Sequence, residues 1–211
     1  MRRIPLFSSA SLAFLVPLAS MAAESASLQV SGNLSPSSCD VSLSGRDTVD
    51  LGPIPVGSFV PGKDNVLPET AAFLTVDCAA MPTKFRLKAT DSTGTTASTA
   101  GPANYGLGMN GNRPIGYFTL SIAADIMTRN AFVLKSTDGG AGNAWTVPVH
   151  GKVPFDHDGE TFAFAASETA VEPAALTALA VPLSIQPVLA KNPVVNADVA
   201  LAGQVSIEVL Y

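Results

Sequence analysis

Apolar and polar side chains alternate with a period of two in one short run after another along this chain. TKFRLKAT (83–90) sends Phe85, Leu87 and Ala89 one way and Lys84, Arg86 and Lys88 the other. SLQVSGNL (27–34) does the same with Leu28, Val30, Gly32 and Leu34. AAFLTVDC (71–78), IGYFTLSIAA (115–124), AFVLKS (131–136), AWTVPVH (144–150), ETFAFAA (160–166) and LAVPLSIQPVLA (179–190) read as further strands. DVSL (40–43) and TVDLG (48–52) lie on either side of Gly45. A period of two belongs to strands, whose successive side chains leave opposite faces. The 17 glycines and 16 prolines mark most of the joints. The clearest helical stretch, 170–180, carries Pro173 and reads as a loop or one short turn. Residues 91–109, rich in Ser, Thr, Ala and Gly, read as a long surface loop. About ten short strands without helices predict an all-β fold, a β-sandwich.

The start of the chain predicts export. Arg2 and Arg3 precede an apolar run from Leu12 to Leu18, and small residues follow at Ser20, Ala22 and Ala23. This is the pattern of a secretory signal peptide over 1–23, too short to span a bilayer. Residues 24–211 then form one sandwich domain. Loss of the two arginines cuts the 12 basic residues to 10, against 17 acidic ones. No basic patch is left to attract a phosphate backbone, so no nucleic-acid partner is expected. Cys39 and Cys78 are the only cysteines. In an exported chain they most simply join each other. The loop they close makes such a bond worth about 4 kcal/mol on the chain-entropy argument.

DVALAGQVSIEVLY (198–211) is the best strand pattern in the sequence. Val199, Leu201, Val205, Ile207, Val209 and Tyr211 share one face, with Gly203 in the remaining place. With Tyr211 read as the last residue, no neighbour is expected from the downstream side. An uncovered apolar edge invites aggregation, and equally offers a site for an incoming strand. The pattern therefore predicts an unfinished edge completed by another chain.

Candidate chemistry is sparse. HGKVPFDHDGE (150–160) holds His150, Asp156, His157, Asp158 and Glu160. Adjacent residues of a strand diverge, which spoils a metal cluster, and the calcium-loop pattern is incomplete. The stretch reads as a polar hairpin turn with Asp158-Gly159 at its tip. No nucleophile elbow, phosphate-binding glycine loop or positioned acid–base pair is evident. No metal, cofactor or catalysis is expected. Trp145, Tyr105 and Tyr117 suit a sugar-stacking surface, but a tryptophan in a sandwich more often fills the core.

The order of these stretches resembles the subunits of chaperone–usher fimbriae, and more closely the DUF1120 family of exported fimbrial-subunit-like proteins of Gram-negative bacteria. LQVSGNLSPSSCDVSL, VDLGPIPVG, LPETAAFLTVDCAA, NYGLGMNGNRPIGYFTLSI, LSIQPVLA and VALAGQVSIEVLY carry the resemblance. It implies an incomplete immunoglobulin-like sandwich lacking its final strand. A periplasmic chaperone lends that strand, an outer-membrane usher assembles the subunits, and a neighbouring pilin subunit replaces the lent strand. Cys39 and Cys78 match the family's bond between the first two strands. Val199, Leu201, Gly203, Val205, Ile207, Val209 and Tyr211 match the strand that meets chaperone and donor strand. The implied destination is the fimbrium at the cell surface, reached through the periplasm. The alternative reading is a monomeric surface module that binds a glycan.

Overall fold

The alternating runs form strands because each can bury one row of side chains while its backbone pairs sideways. The computed structural model describes residues 39–44, 48–55, 57, 59–79, 81–123, 125–126, 131–139, 141, 144–149, 151–192 and 198–211. The chain divides into two units, Met1–Ser35 and Pro36–Tyr211, and the described residues all belong to the second. Residues 1–23, the segment expected to be a signal peptide, the SLQVSGNL run and His150 lie outside them.

Among the described residues fourteen strands follow in chain order. They are β1 (Asp40–Ser44), β2 (Asn65–Val66), β3 (Thr70–Asp77), β4 (Arg86–Asp91), β5 (Asn104–Gly106), β6 (Met109–Asn110) and β7 (Arg113–Pro114). Then come β8 (Gly116–Ala123), β9 (Asp125–Ile126), β10 (Ala131–Ser136), β11 (Lys152–Pro154), β12 (Thr161–Ala165), β13 (Ala178–Leu189) and β14 (Val205–Leu210). The described residues contain no α-helix. One sheet runs β1-β3-β13-β8-β11, with β2 on β13 and β5 on β8. The second runs β14-β4-β12-β10-β9, and β6 and β7 form a separate hairpin.

The two large sheets make an all-β sandwich around one apolar core. Leu74, Val76, Ile122 and Val181 enter it from the first sheet, and Leu87, Ala89, Val133, Phe162 and Phe164 from the second. The inward face of β4 is the one its alternation predicts, since Phe85, Leu87 and Ala89 are all buried. Phe155 and Phe162 meet edge to face with ring centres 4.5 Å apart, and Phe85 lies 6.3 Å from Phe164.

The central strand β13 carries Pro182 and Pro187, which have no N–H to give a ladder. Pro182 is paired with β3 and lies before the β8 ladder begins at Leu183. Pro187 is paired with β8, in the gap between the β3 ladder, which ends at Ile185, and the β2 ladder, which begins at Val188. Each proline thus falls where β13 has one ladder instead of two.

Four sequence expectations need correction. TVDLG (48–52) is not a strand: the Asp50 carboxylate accepts the Gly52 N–H at 2.8 Å, and Gly52 has a φ of 63°. That side-chain bond makes a turn where a ladder would otherwise run. In AWTVPVH the described residues, 144–149, make only the isolated bridge between Thr146 and Lys135, with Pro148 unable to extend it. The 91–109 loop contains β5, held on β8 by Tyr105 opposite Phe118. Asp158-Gly159 is not a hairpin tip, because β11 pairs with β8 in one sheet and β12 with β10 and β4 in the other. Residues 155–160 cross between the sheets instead.

Candidate functional site: an open edge groove

The pattern over 198–211 predicts one long strand, and the structure shortens it to β14 at Val205–Leu210. The reason lies in its partner. β4 ends at Asp91, whose carboxylate accepts the Thr93 N–H and hydroxyl and the Gly106 N–H. β4 has no strand residue beyond Asp91, and past the Ser92–Gln204 bond nothing in it is left for 199–203 to pair with. That segment is held by the other sheet: Ala202 N–H donates to the Leu107 carbonyl at 3.0 Å. Gly203 fits closely there, since a Cβ on it would lie 2.7 Å from Phe118 and 3.0 Å from Leu107. Val199, Leu201 and Gly203 are thus not on the strand, and Tyr211 lies just past it.

Val205, Ile207 and Val209 do share the inward face. They sit opposite Asp91, Ala89 and Leu87, and the last two are buried. The backbone can be oriented as well. Ser92 N–H donates to the Gln204 carbonyl at 3.0 Å, so 204 and 92 form a hydrogen-bonded pair. In an antiparallel ladder such pairs alternate with pairs whose backbone groups face away. The N–H and C=O of Val205, Ile207 and Val209 therefore point away from β4. Among the described residues no strand lies on that side. The three side chains face the core and stay only half-buried.

The opposite wall is β1, which also has a single neighbour, β3, among the described residues. Val41 and Leu43 stand opposite Val76 and Leu74 and so face the interior. Val76 is fully buried, whereas Val41 is 39% exposed. Two inward-facing edges left open in this way bound a groove of about 1910 Å³. Leu74, Leu107, Phe118, Leu120 and Ile185 line it from one sheet and its loops, and Val205 and Ile207 from the other. Small-molecule sites usually hold about 300–1,000 Å³. This groove is of a size for an extended peptide.

One end of the groove is tied. Cys39 and Cys78 form a disulfide with an S–S length of 2.05 Å, joining the entry of β1 to the end of β3. It links the first and third strands, because the two-residue β2 intervenes. The Tyr211 hydroxyl accepts the Cys39 N–H and lies 3.4 Å from the Cys39 carbonyl. Tyr211 thereby connects the end of β14 with the start of β1.

The remaining sequence candidates are scattered. Tyr105 is fully buried, stacks on Phe118 and donates to the Phe155 carbonyl. Burial, reinforced by the Asp156 charge, pushes its phenol pKa up. Trp145 is buried, but not in the core between the sheets. With Leu134, Ala163 and Ala165 it forms a second cluster around β10 and β12. These side chains alternate with core-facing Val133, Phe162 and Phe164, so they leave the opposite face of the sheet. The aromatic residues singled out for sugar stacking therefore do not form a common exposed platform. His157 touches the Asn104 carbonyl through Nε2 at 3.2 Å. Among the described residues no three His, Cys, Asp or Glu side chains are grouped to hold a metal.

Sequence reasoning missed Lys135. Its Nζ lies 3.0 Å from Asp156 Oδ2 and 2.6 Å from Glu160 Oε2. The signal was present: in AFVLKS, Lys135 shares the face of the buried Val133, an unusual place for a lysine. Burial, with Asp156 alongside, raises the Glu160 pKa against the opposing pull of Lys135. Burial disfavours the Lys135 ammonium, but its bonds to Glu160 and Asp156 outweigh that and raise its pKa.

No family model matches this chain, and no curated protein matches it.

Proposed function

We propose that this protein is an exported structural subunit whose sandwich is completed by a β-strand from another chain. The observation that carries the reading is the edge of β14. Val205, Ile207 and Val209 combine outward-facing backbone groups with inward-facing apolar side chains, and the first two line the groove. Strand addition needs both features: the backbone bonds supply affinity, and alternate side chains set the register. Each apolar side chain an incoming strand buries contributes about 1.5–3 kcal/mol. Each new backbone bond adds about 0.5–1.5 kcal/mol. No covalent or catalytic step is required.

The resemblance to chaperone–usher fimbrial subunits, the DUF1120 family in particular, gives this mechanism a setting. The strand is lent by a periplasmic chaperone, the usher receives the complex, and a neighbouring subunit takes the chaperone's place. The disulfide suits a chain that folds in an oxidising compartment. Assembly at the cell surface as part of a fimbrium follows from this reading.

The test is expression in a periplasm with and without the candidate chaperone. A chain that accumulates poorly alone, and is rescued as a one-to-one complex, supports the proposal. A chain whose yield and melting temperature are the same with and without the chaperone, and which forms no complex with it, overturns the proposal, and a glycan screen then becomes the next experiment.

A further inference from the structure

We propose that Lys135 and Asp156 become joined by an amide bond, with Glu160 carrying the protons. The inference is independent of what fills the edge groove.

Placement is the first argument. Lys135 stands opposite Phe162 in the β10–β12 ladder, on the face that turns Val133 and Phe164 into the core. Asp156 follows the fully buried Phe155, whose N–H donates to the Leu120 carbonyl at 2.8 Å. Glu160 precedes β12. Three separate backbone constraints thus bring one amine and two carboxyls together. Nζ lies 3.0 Å from Asp156 Oδ2, and the side chains of Lys135, Asp156 and Glu160 are only 25%, 9% and 13% exposed. Holding reactants in contact removes much of the entropy barrier to their condensation.

Energetics is the second argument. Each charge of a partly buried ion pair carries a desolvation cost; at Lys135 the carboxylate contacts outweigh it and hold the ammonium, so its proton leaves only to an acceptor in direct contact. Conversion to an amide removes both charges and leaves a neutral group that can hydrogen-bond. The amine must first lose its proton, and a nearby carboxyl must accept it. Glu160 is placed to do so, since its Oε2 lies 2.6 Å from Nζ and its carboxyl is close enough to Asp156 for that charge to raise its pKa. Burial raises its pKa, so it holds a proton more readily than an ordinary carboxyl.

The step balances. Glu160 takes a proton from the Lys135 ammonium, and the free amine attacks Asp156 Cγ to form the C–N bond. Glu160 returns protons to the departing oxygen, the C–O bond breaks and water leaves. One ammonium and one carboxylate become one amide and one water, with nothing oxidised or reduced and Glu160 regenerated. The product ties β10 in one sheet to the segment after β11 in the other. The disulfide, by contrast, links two strands of the same sheet.

The test is mass spectrometry of the full-length protein after denaturation, reduction and trypsin digestion. The expected result is no cleavage after Lys135, and fragment 130–152 joined to 153–191 with the loss of one water. Fragment ions should place the link at Asp156. Separate peptides of full mass, with cleavage after Lys135, overturn the proposal, and a link to Glu160 overturns the choice of Asp156. Glu160→Gln should retain the water and yield separate peptides. If that variant is linked as fully as the wild type, Glu160 is not the proton carrier.

Discussion

Strands β12 and β14 flank the same strand, β4, and differ in almost every other respect. β12 reads TFAFA, and all five residues are buried. β14 reads VSIEVL, and none is fully buried. Apolar content does not explain this, since β14 has four large aliphatic residues. Neighbours do. β12 lies between β4 and β10, with the sandwich core on one face and the Trp145 cluster on the other. Among the described residues β14 has β4 on one side and a groove on the other. Burial in a sheet is a property of the assembly, and an apolar strand without a second neighbour is half of a binding site.

The contrast can be broken most forcefully from the buried side. Phe164→Ala should cost about 3–5 kcal/mol, the usual range for an aromatic removed from a core. Ile207→Ala should cost much less in the isolated chain, and urea titration of the two variants compares them directly. Equal losses would mean that β14 is already enclosed. Reduction of the Cys39–Cys78 bond comes next, at about 4 kcal/mol on the chain-entropy argument. Cys39→Ser paired with Cys78→Ser should lower the urea midpoint accordingly and loosen the β1 wall. Gly203→Ala should cost about 1–3 kcal/mol, because its new methyl group would press on Phe118, Leu107 and the Gly106 carbonyl.

Charge separates the edge from the core in another way. Val205→Asp or Ile207→Asp should leave the isolated chain folded yet abolish chaperone binding, because an aspartate in the groove would be buried by the incoming strand. Co-purification with the chaperone at wild-type yield would refute this.

The smallest expected effect concerns pH. A carboxyl whose folded pKa is raised binds its proton in the folded state before the unfolded state does. Glu160 should therefore add stability as pH falls from above its raised folded pKa towards the ordinary value of 4.5. Glu69, lowered by its bond to Lys152, has the opposite sign and loses its contribution as pH falls below 4.5. Melting temperatures across this range, with Glu160→Gln as the flattened reference, check the sign.

Much of the fold was legible in the sequence because alternation is local. AFVLKS, ETFAFAA and LAVPLSIQPVLA form strands within a residue or so of their expected ends. The failures have non-local causes. Residues 199–203 alternate well, but β4 is too short to pair with them. Residues 144–149 alternate too, yet Pro148 and a single bridge hold them as a cover over the sheet. Asp158-Gly159 has good turn chemistry, and only the pairing of β11 and β12 reveals that the turn changes sheets. The groove was half legible. Its β14 wall shows in the final apolar alternation, whereas Val41 and Leu43 stand out only once β1 proves to be an edge. Lys135 was hidden for a similar reason, since both its carboxylate partners follow in the segment that crosses between the sheets.

The most direct test of the open edge is amide hydrogen exchange along β14. In the lone protein Ser206, Glu208 and Leu210, whose N–H groups face β4, should exchange slowly, while Val205, Ile207 and Val209 exchange quickly. Addition of the chaperone, or of a synthetic strand alternating valine and threonine, should protect the second set and leave the first unchanged. Protection of Val205, Ile207 and Val209 in the lone protein would contradict the account, because the edge would then already have its partner.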